Sequence, residues 1–265
     1  MNSLDLLIKN NPTWVTMQES SQERVKILVS PPSMGTATQR DFYLELRSSN
    51  QRGVRVFEQK NHKQFPDCCI ERHINYDSSF CVYRGSEENL EDQDRAIAWW
   101  SNLAVYLNNQ IYAEKYGLWP LASGLSHGDA ANEQLAMEEL VENLGWKDEL
   151  LKAIFRSSGW LAEPLPRISK THDQMLNARA PCPRGCTRKH KILRNQSCER
   201  KQCSSGCTKQ HKPILRKDCP NREVIEQLVF HEYRRRKAEA ELVDGLLQKG
   251  IQCCGSMKNC QLRDR

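Results

Sequence analysis

"ERHINYDSSFCVY", residues 71–83, is the stretch on which the reading of this chain turns. A His73-Ile74-Asn75 triplet stands six residues ahead of a lone cysteine, Cys81. Taken bare, Cys81 lies between Phe80 and Val82 on a short apolar segment, and a cysteine in that setting is commonly buried and inert. What surrounds the stretch gives the triplet and the cysteine more weight than that.

Upstream lie three strand-like segments, "RVKILVS" (24–30), "DFYLELR" (41–47) and "VRVFEQ" (54–59). Turn-rich breaks, "PPSMGT" and "SSNQRG", separate them, which predicts an antiparallel meander. Downstream the period changes. In "QDRAIAWWSNLAVYLNNQIYAEKYG" (93–117), Ile97, Trp100, Leu103, Ala104, Leu107 and Ile111 recur at helical spacing, and Gly117 and Pro120 end the run. Two further helices are predicted in "SHGDAANEQLAMEELVENLG" (126–145) and "KDELLKAIFRSSG" (147–159), each stopping at a glycine. Ser126 is a candidate cap for the first of these, with His127 near its start. "EPLPRIS" reads as a linker, a cysteine-rich block follows, and a basic helix runs from about Arg222 to Gln248 before the tail "CCGSMKNC". Strands first and helices after them predict an α+β domain with a small module appended.

The chain has 265 residues, 38% hydrophobic and 27% charged, with a formal net charge of +6 contributed by its C-terminal third. Charge of that size is compatible with a nucleic-acid or acidic protein partner, and equally with a solvated surface. No apolar run approaches the roughly 18 residues of a membrane span, and "MNSLDLLIKNNPTW" has no signal pattern, so a cytoplasmic chain without a membrane partner is expected. Twelve cysteines in such a chain point to metal ligation or catalysis and away from disulfides, and nine of them lie after residue 181.

The ordered series "QFPDCC", "HIN", "FC", "WW" at a helix start and "WPLASGLSHGDAA" (119–131) resembles the bacterial members of the ubiquitin-conjugating (UBC-fold) enzymes over about residues 15–145. The resemblance implies a UBC-like antiparallel meander with helices. It implies that Cys81 takes up a ubiquitin-like protein as a thioester from a ThiF-type activating enzyme and passes it to an amine on a protein target. It gives Asn75 the part of oxyanion donor and His73 that of shaping the loop. His127 is a further candidate, lying over the cysteine or serving only as a helix-start turn. The setting implied is bacterial antiphage defence. Three departures from the family bear on loop geometry: Ile74 stands where most relatives carry proline, the His-to-Cys interval is shorter than in the eukaryotic enzymes, and the proline-rich approach is reduced to "FPDCC". Cys68 and Cys69 are read as packing residues.

A separate signal lies downstream. Cys182-x3-Cys186-x3-His190-x7-Cys198 is repeated as Cys203-x3-Cys207-x3-His211-x7-Cys219, at a period of 21 residues. Each copy offers three thiolates and one imidazole, a closed four-coordinate set for zinc, so two structural zinc ions are expected, in sequential or interleaved sites. So polar a segment buries little core of its own, and metal binding would supply its folding free energy. Cys253, Cys254 and Cys260 stay open between a third set with His231 or His172 and no ligand role. Arg234, Arg235, Arg236 and Lys237 are read as available for phosphate contacts. The repeat contains no Phe, Tyr or Trp on which bases would stack, so protein docking ranks ahead of nucleic-acid binding.

The expected division is a UBC-like conjugating domain (1–160), a linker (161–181), a tandem Cys3His zinc module (182–222) and a basic helix with a cysteine-bearing tail (223–265). The alternative is a non-catalytic adaptor, or a nucleic-acid-binding protein, with the UBC fold as its scaffold.

Overall fold

A computed structural model describes residues 2–34, 39–48, 53–82, 90–159, 161–162, 164–171, 174–176 and 219–263. Contacts group the chain into two compact units, residues 1–123 with 243–265, and residues 124–242.

The first unit opens with a short helix, α1 (Ser3–Lys9), started by a capping box in which the Asn2 side chain and the Asp5 amide, and the Asp5 carboxylate and the Asn2 amide, bond reciprocally. A five-stranded antiparallel sheet follows, in the order β1 (Val15–Ser20), β2 (Arg24–Val29), β3 (Phe42–Ser48), β4 (Val54–Glu58) and β5 (Ser79–Phe80). The three expected strands are its middle. Their alternation works as strand geometry requires: Val25, Ile27 and Val29 pair with Leu46, Leu44 and Phe42, and all six are essentially fully buried. Each such side chain is worth about 1.5–3 kcal/mol when wholly removed from water. β1 and β5 were not expected. β1 buries only Val15 fully and so lacks an alternating signature, and β5 is two residues long.

The long helix α2 (Gln93–Tyr116) is capped by the Asp92 carboxylate, which accepts from the Arg95 amide at 2.8 Å. It ends at Gly117, whose φ of +66° is the left-handed conformation that favours glycine. Its inner face departs from the expected one. Ile97 is 49% exposed, while Ala96, Trp99, Tyr106, Asn108, Gln110 and Ala113 join Trp100, Leu103, Ala104 and Leu107 in burial. Asn108 and Gln110 are tolerated there because their amides are bonded, Asn108 to the carbonyls of Ala104 and Pro32, and Gln110 to that of Arg72. The Trp100 indole N–H donates to the Leu7 carbonyl at 3.2 Å, fixing α1 against α2. The C-terminal tail belongs to this unit: Met257, Cys260 and Leu262 are buried, and the Lys258 amide donates to the Gly117 carbonyl at 2.8 Å.

In the second unit α3 (Ala130–Glu142), α4 (Lys147–Arg156) and the first part of α5 (Arg222–Gln248) enclose Met137, Val141, Trp146, Leu150, Ala153, Leu161, Ile225 and Leu228. Leu161, at the head of the stretch read as a linker, is therefore a core residue. Gly124 is required by close approach, since a Cβ there would stand 2.6 Å from the Phe155 ring. Ser126 does not cap α3: Asp129 holds the N-cap position, and the Ser126 hydroxyl accepts from Arg235 at 3.1 Å.

The arginine run likewise differs from its reading. Arg235 is buried, forked onto the equally buried Glu232 and bonded to Glu239. Arg236 bonds Glu232 and the Leu161 carbonyl, and Arg234 bonds Glu133. Glu232 and Glu239, one helical turn away along α5, take up the Arg235 and Arg236 charges, and Glu133 on α3 takes up that of Arg234, so the three arginines are engaged in ion pairs. A buried pair of this kind costs about 3–5 kcal/mol when one partner is removed. Among the described residues no helix is long and apolar enough to cross a membrane.

His127 lies in this second unit beside Glu239 and Arg235. Burial lowers its pKa below the ordinary 6.5, Glu239 opposes that, and Arg235 adds to it. Below about pH 6.5 the unfolded chain therefore binds a proton that the folded chain resists, and stability rises with pH across that window. We expect acidification from pH 7.5 to 5.5 to lower the urea midpoint of the wild type more than that of His127→Gln, as read by paired denaturation series.

Candidate active site

Two tight turns build the site. Cys69 and Ile74 exchange both backbone hydrogen bonds, at 3.0 and 2.9 Å, around a 3-10 turn at Ile70–Arg72. His73 leaves that turn in the left-handed region, with φ +54°. The chain then reverses again: the Asn75 amide donates to the Ser79 carbonyl at 2.8 Å, and the Ser78 amide to the Asn75 carbonyl at 2.9 Å. Ile74 pairs with Phe80, and the Cys81 amide donates to the His73 carbonyl at 2.8 Å. The interval between triplet and cysteine is thus the length of one hairpin. It lays Cys81 alongside His73, while Ile74 and Phe80 turn into the core. Ile74 uses an amide that a proline in its place would lack to bond the Cys69 carbonyl.

Polar groups hold the second turn. The Asn75 side-chain amide donates to the Ser79 hydroxyl at 3.0 Å, and the Ser79 hydroxyl donates to Asp77 at 2.7 Å. Arg55 on β4 bonds both Ser79 and Asp77. Burial would raise the Asp77 carboxyl, but hydrogen bonds from the Ser79 hydroxyl and amide and from Arg55 outweigh it and hold it below the usual carboxylate range. Asn75 itself is exposed, and its amide nitrogen carries a second hydrogen beyond the one given to Ser79.

From α2, the Tyr106 hydroxyl lies 3.2 Å from the His73 carbonyl and 3.3 Å from that of Arg72. Burial, and then the nearby Cys81, raise its pKa well above the ordinary value, so it remains a neutral hydroxyl. Arg72 and Gln110 bond each other three times in the interior. The Trp119 ring, from the "WP" segment, lies 4.9 Å from the His73 imidazole, between centroids. Cys81 is half-buried and outside any disulfide.

The structure therefore brings His73, Asn75 and Cys81 into one hairpin. It adds Tyr106, Gln110, Arg55, Ser79 and Trp119, none of which was singled out from the sequence. Tyr106 and Gln110 are buried polar residues within an apolar helical face, a pattern visible only once the face is known. His127 belongs to the other unit, with the neighbours given above.

Of the expected metal ligands, Cys182, Cys186, His190, Cys198, Cys203, Cys207 and His211 lie outside the described residues. Cys219 is described, half-buried against the core of the second unit at the foot of α5. Among the described residues no three His, Cys, Asp or Glu side chains form a group that would hold a metal ion. His231 Nδ1 lies 2.7 Å from Glu133 in the second unit, and Cys253, Cys254 and Cys260 belong to the first. His172 lies outside the described residues.

Comparison with known families accords with this geometry. Residues 14–121 match the model of a prokaryotic E2 domain, and residues 197–262 match that of a cysteine-rich domain found C-terminal to the E2 domain. No curated protein and no solved structure gives a significant match. With the hairpin, the sheet and both family matches in place, the chain carries a region that matches a prokaryotic E2 domain, followed by a region that matches the cysteine-rich domain found C-terminal to it.

Proposed function

We propose that Cys81 accepts a ubiquitin-like protein from a ThiF-type activating enzyme and transfers it to an amine on a protein target. The observation that carries this reading is the hairpin that fixes the backbone of a half-buried thiol against His73, in the same hairpin as an exposed asparagine and within the segment that matches an E2 domain. In the first step the Cys81 thiolate attacks the activating enzyme's thioester carbonyl, a new C–S bond replaces the old one, and the departing thiol is released. In the second, the target amine attacks the Cys81 thioester, the C–N bond forms, the amine gives up its proton and Cys81 leaves as the thiol. Asn75 donates its second amide hydrogen to the oxyanion of that step. His73, held at positive φ and covered by Trp119, shapes the loop. The same reading places the protein in antiphage defence.

The cysteine-rich module fits zinc by the chemistry of its donors. Cys182, Cys186, His190 and Cys198, with Cys203, Cys207, His211 and Cys219, would hold two ions that supply folding free energy and leave no open coordination position. We assign the module to docking a protein partner, a reading supported by the internal pairing of the Arg234–Arg236 run.

The test is adduct formation in host lysate with ATP, compared between wild type and Cys81→Ser on gels with and without reductant. An adduct lost on reduction in the wild type and retained as an oxyester in the variant is expected. Absence of any adduct on either protein, with a ThiF-type enzyme present, would contradict the reading. In Asn75→Ala the thioester should still form, while its discharge to an amine slows by about 10²–10³-fold, the usual effect of removing one oxyanion donor. Single-turnover discharge of the preloaded enzyme measures this.

A further inference from the structure

Five thiols of the first unit come from two distant parts of the chain, Cys68 and Cys69 ahead of the hairpin and Cys253, Cys254 and Cys260 in the tail. The sulfurs of Cys69 and Cys254 are 2.9 Å apart. We infer that Cys254 and Cys69 form an oxidation site, which a hydroperoxide converts to a disulfide clasping the C-terminal tail to the segment that begins the active-site hairpin.

Both halves are already in place for this bond. Cys69 is buried, and its amide and carbonyl are fixed to Ile74. The tail is docked independently of its thiols, through buried Met257 and Leu262 and through the Lys258 amide on the Gly117 carbonyl. Sulfurs in contact need close by less than 1 Å to reach the roughly 2.05 Å of a disulfide. The two thiols are also unlike. Cys254 is half-buried and within 3.0 Å of the Ser256 hydroxyl. The hydrogen bond shared with Cys69 lowers its pKa to about 5, against the effect of burial, with the Ser256 hydroxyl and amide and the Arg72 charge adding to it. That same bond, and then burial, raise Cys69. A half-exposed thiolate paired with a buried thiol is the arrangement of an attacking and a resolving cysteine.

The chemistry balances. The Cys254 thiolate attacks the distal oxygen of the hydroperoxide, the O–O bond breaks, and the alkoxide leaves and takes up a proton as an alcohol, or as water when the oxidant is hydrogen peroxide. Cys254 is then a sulfenic acid. The Cys69 sulfur attacks it, the S–S bond forms, and hydroxide departs with the Cys69 proton as water. Two thiols have lost two electrons between them and the peroxide has gained them.

The test uses the full chain, reduced, treated with stoichiometric hydrogen peroxide, alkylated, digested and mapped by mass spectrometry. A peptide pair joined through Cys69 and Cys254 is expected, both in wild type and in Cys81→Ser. In Cys69→Ser the cross-link should be lost and Cys254 trapped as its sulfenic acid by dimedone. The inference is overturned if Cys254 remains alkylatable, if it couples to Cys68 or Cys253 instead, or if native mass spectrometry finds the tail thiols carrying a metal ion. None of these readouts depends on Cys81 forming a thioester.

Discussion

The hydrogen bond from the Cys81 amide to the His73 carbonyl is the constraint on which the rest of the site depends. It closes the ladder that begins at Cys69–Ile74 and continues through Ile74–Phe80, and so converts the interval between triplet and cysteine into a fixed spatial relation. That carbonyl does not stand alone. The Tyr106 hydroxyl approaches it from α2, and the carbonyl before it takes the Gln110 amide. Both anchors lie on α2, where the Tyr106 ring also packs against Phe80 of β5, so core packing and loop geometry are one problem here. The buried pair of Arg72 and Gln110 is tolerated because each satisfies the other.

The second turn is held differently. Asn75, Ser79, Asp77 and Arg55 form a surface-linked chain of hydrogen bonds, with β4 supplying the guanidinium. An exposed asparagine tethered through one of its two amide hydrogens is oriented without being consumed. That is what a preorganised donor needs: little is reorganised when charge develops in front of it.

The sequence disclosed those parts whose signal is periodic. β2 and β3 were legible because Val25, Ile27 and Val29, and Phe42, Leu44 and Leu46, recur at every second position, and Gly117 was legible as a helix stop. The interior of α2 was read a fraction of a turn away. Ile97 is apolar and outward, while Asn108 and Gln110 are polar and inward, a choice fixed by hydrogen bonds that hydrophobic spacing does not carry. For the same reason the triplet and cysteine could be named from their order, but not Tyr106 or Trp119, which meet them across more than thirty residues of intervening chain. The arginine run misled in the opposite sense: its composition is that of a binding face, but Glu232 and Glu239 lie one turn away on the same helix. Nor does any local pattern reveal that the tail returns to Cys69, since that contact spans 185 positions.

Hydrogen exchange at the Cys81 amide addresses the central constraint most directly. If the ladder is as described, the Cys81 and Asn75 amides exchange slowly and together in the wild type, and Tyr106→Phe speeds the Cys81 amide preferentially. Exchange of the Cys81 amide at the rate of an open peptide, with the β2 and β3 amides still protected, would show that the hairpin does not fix the cysteine.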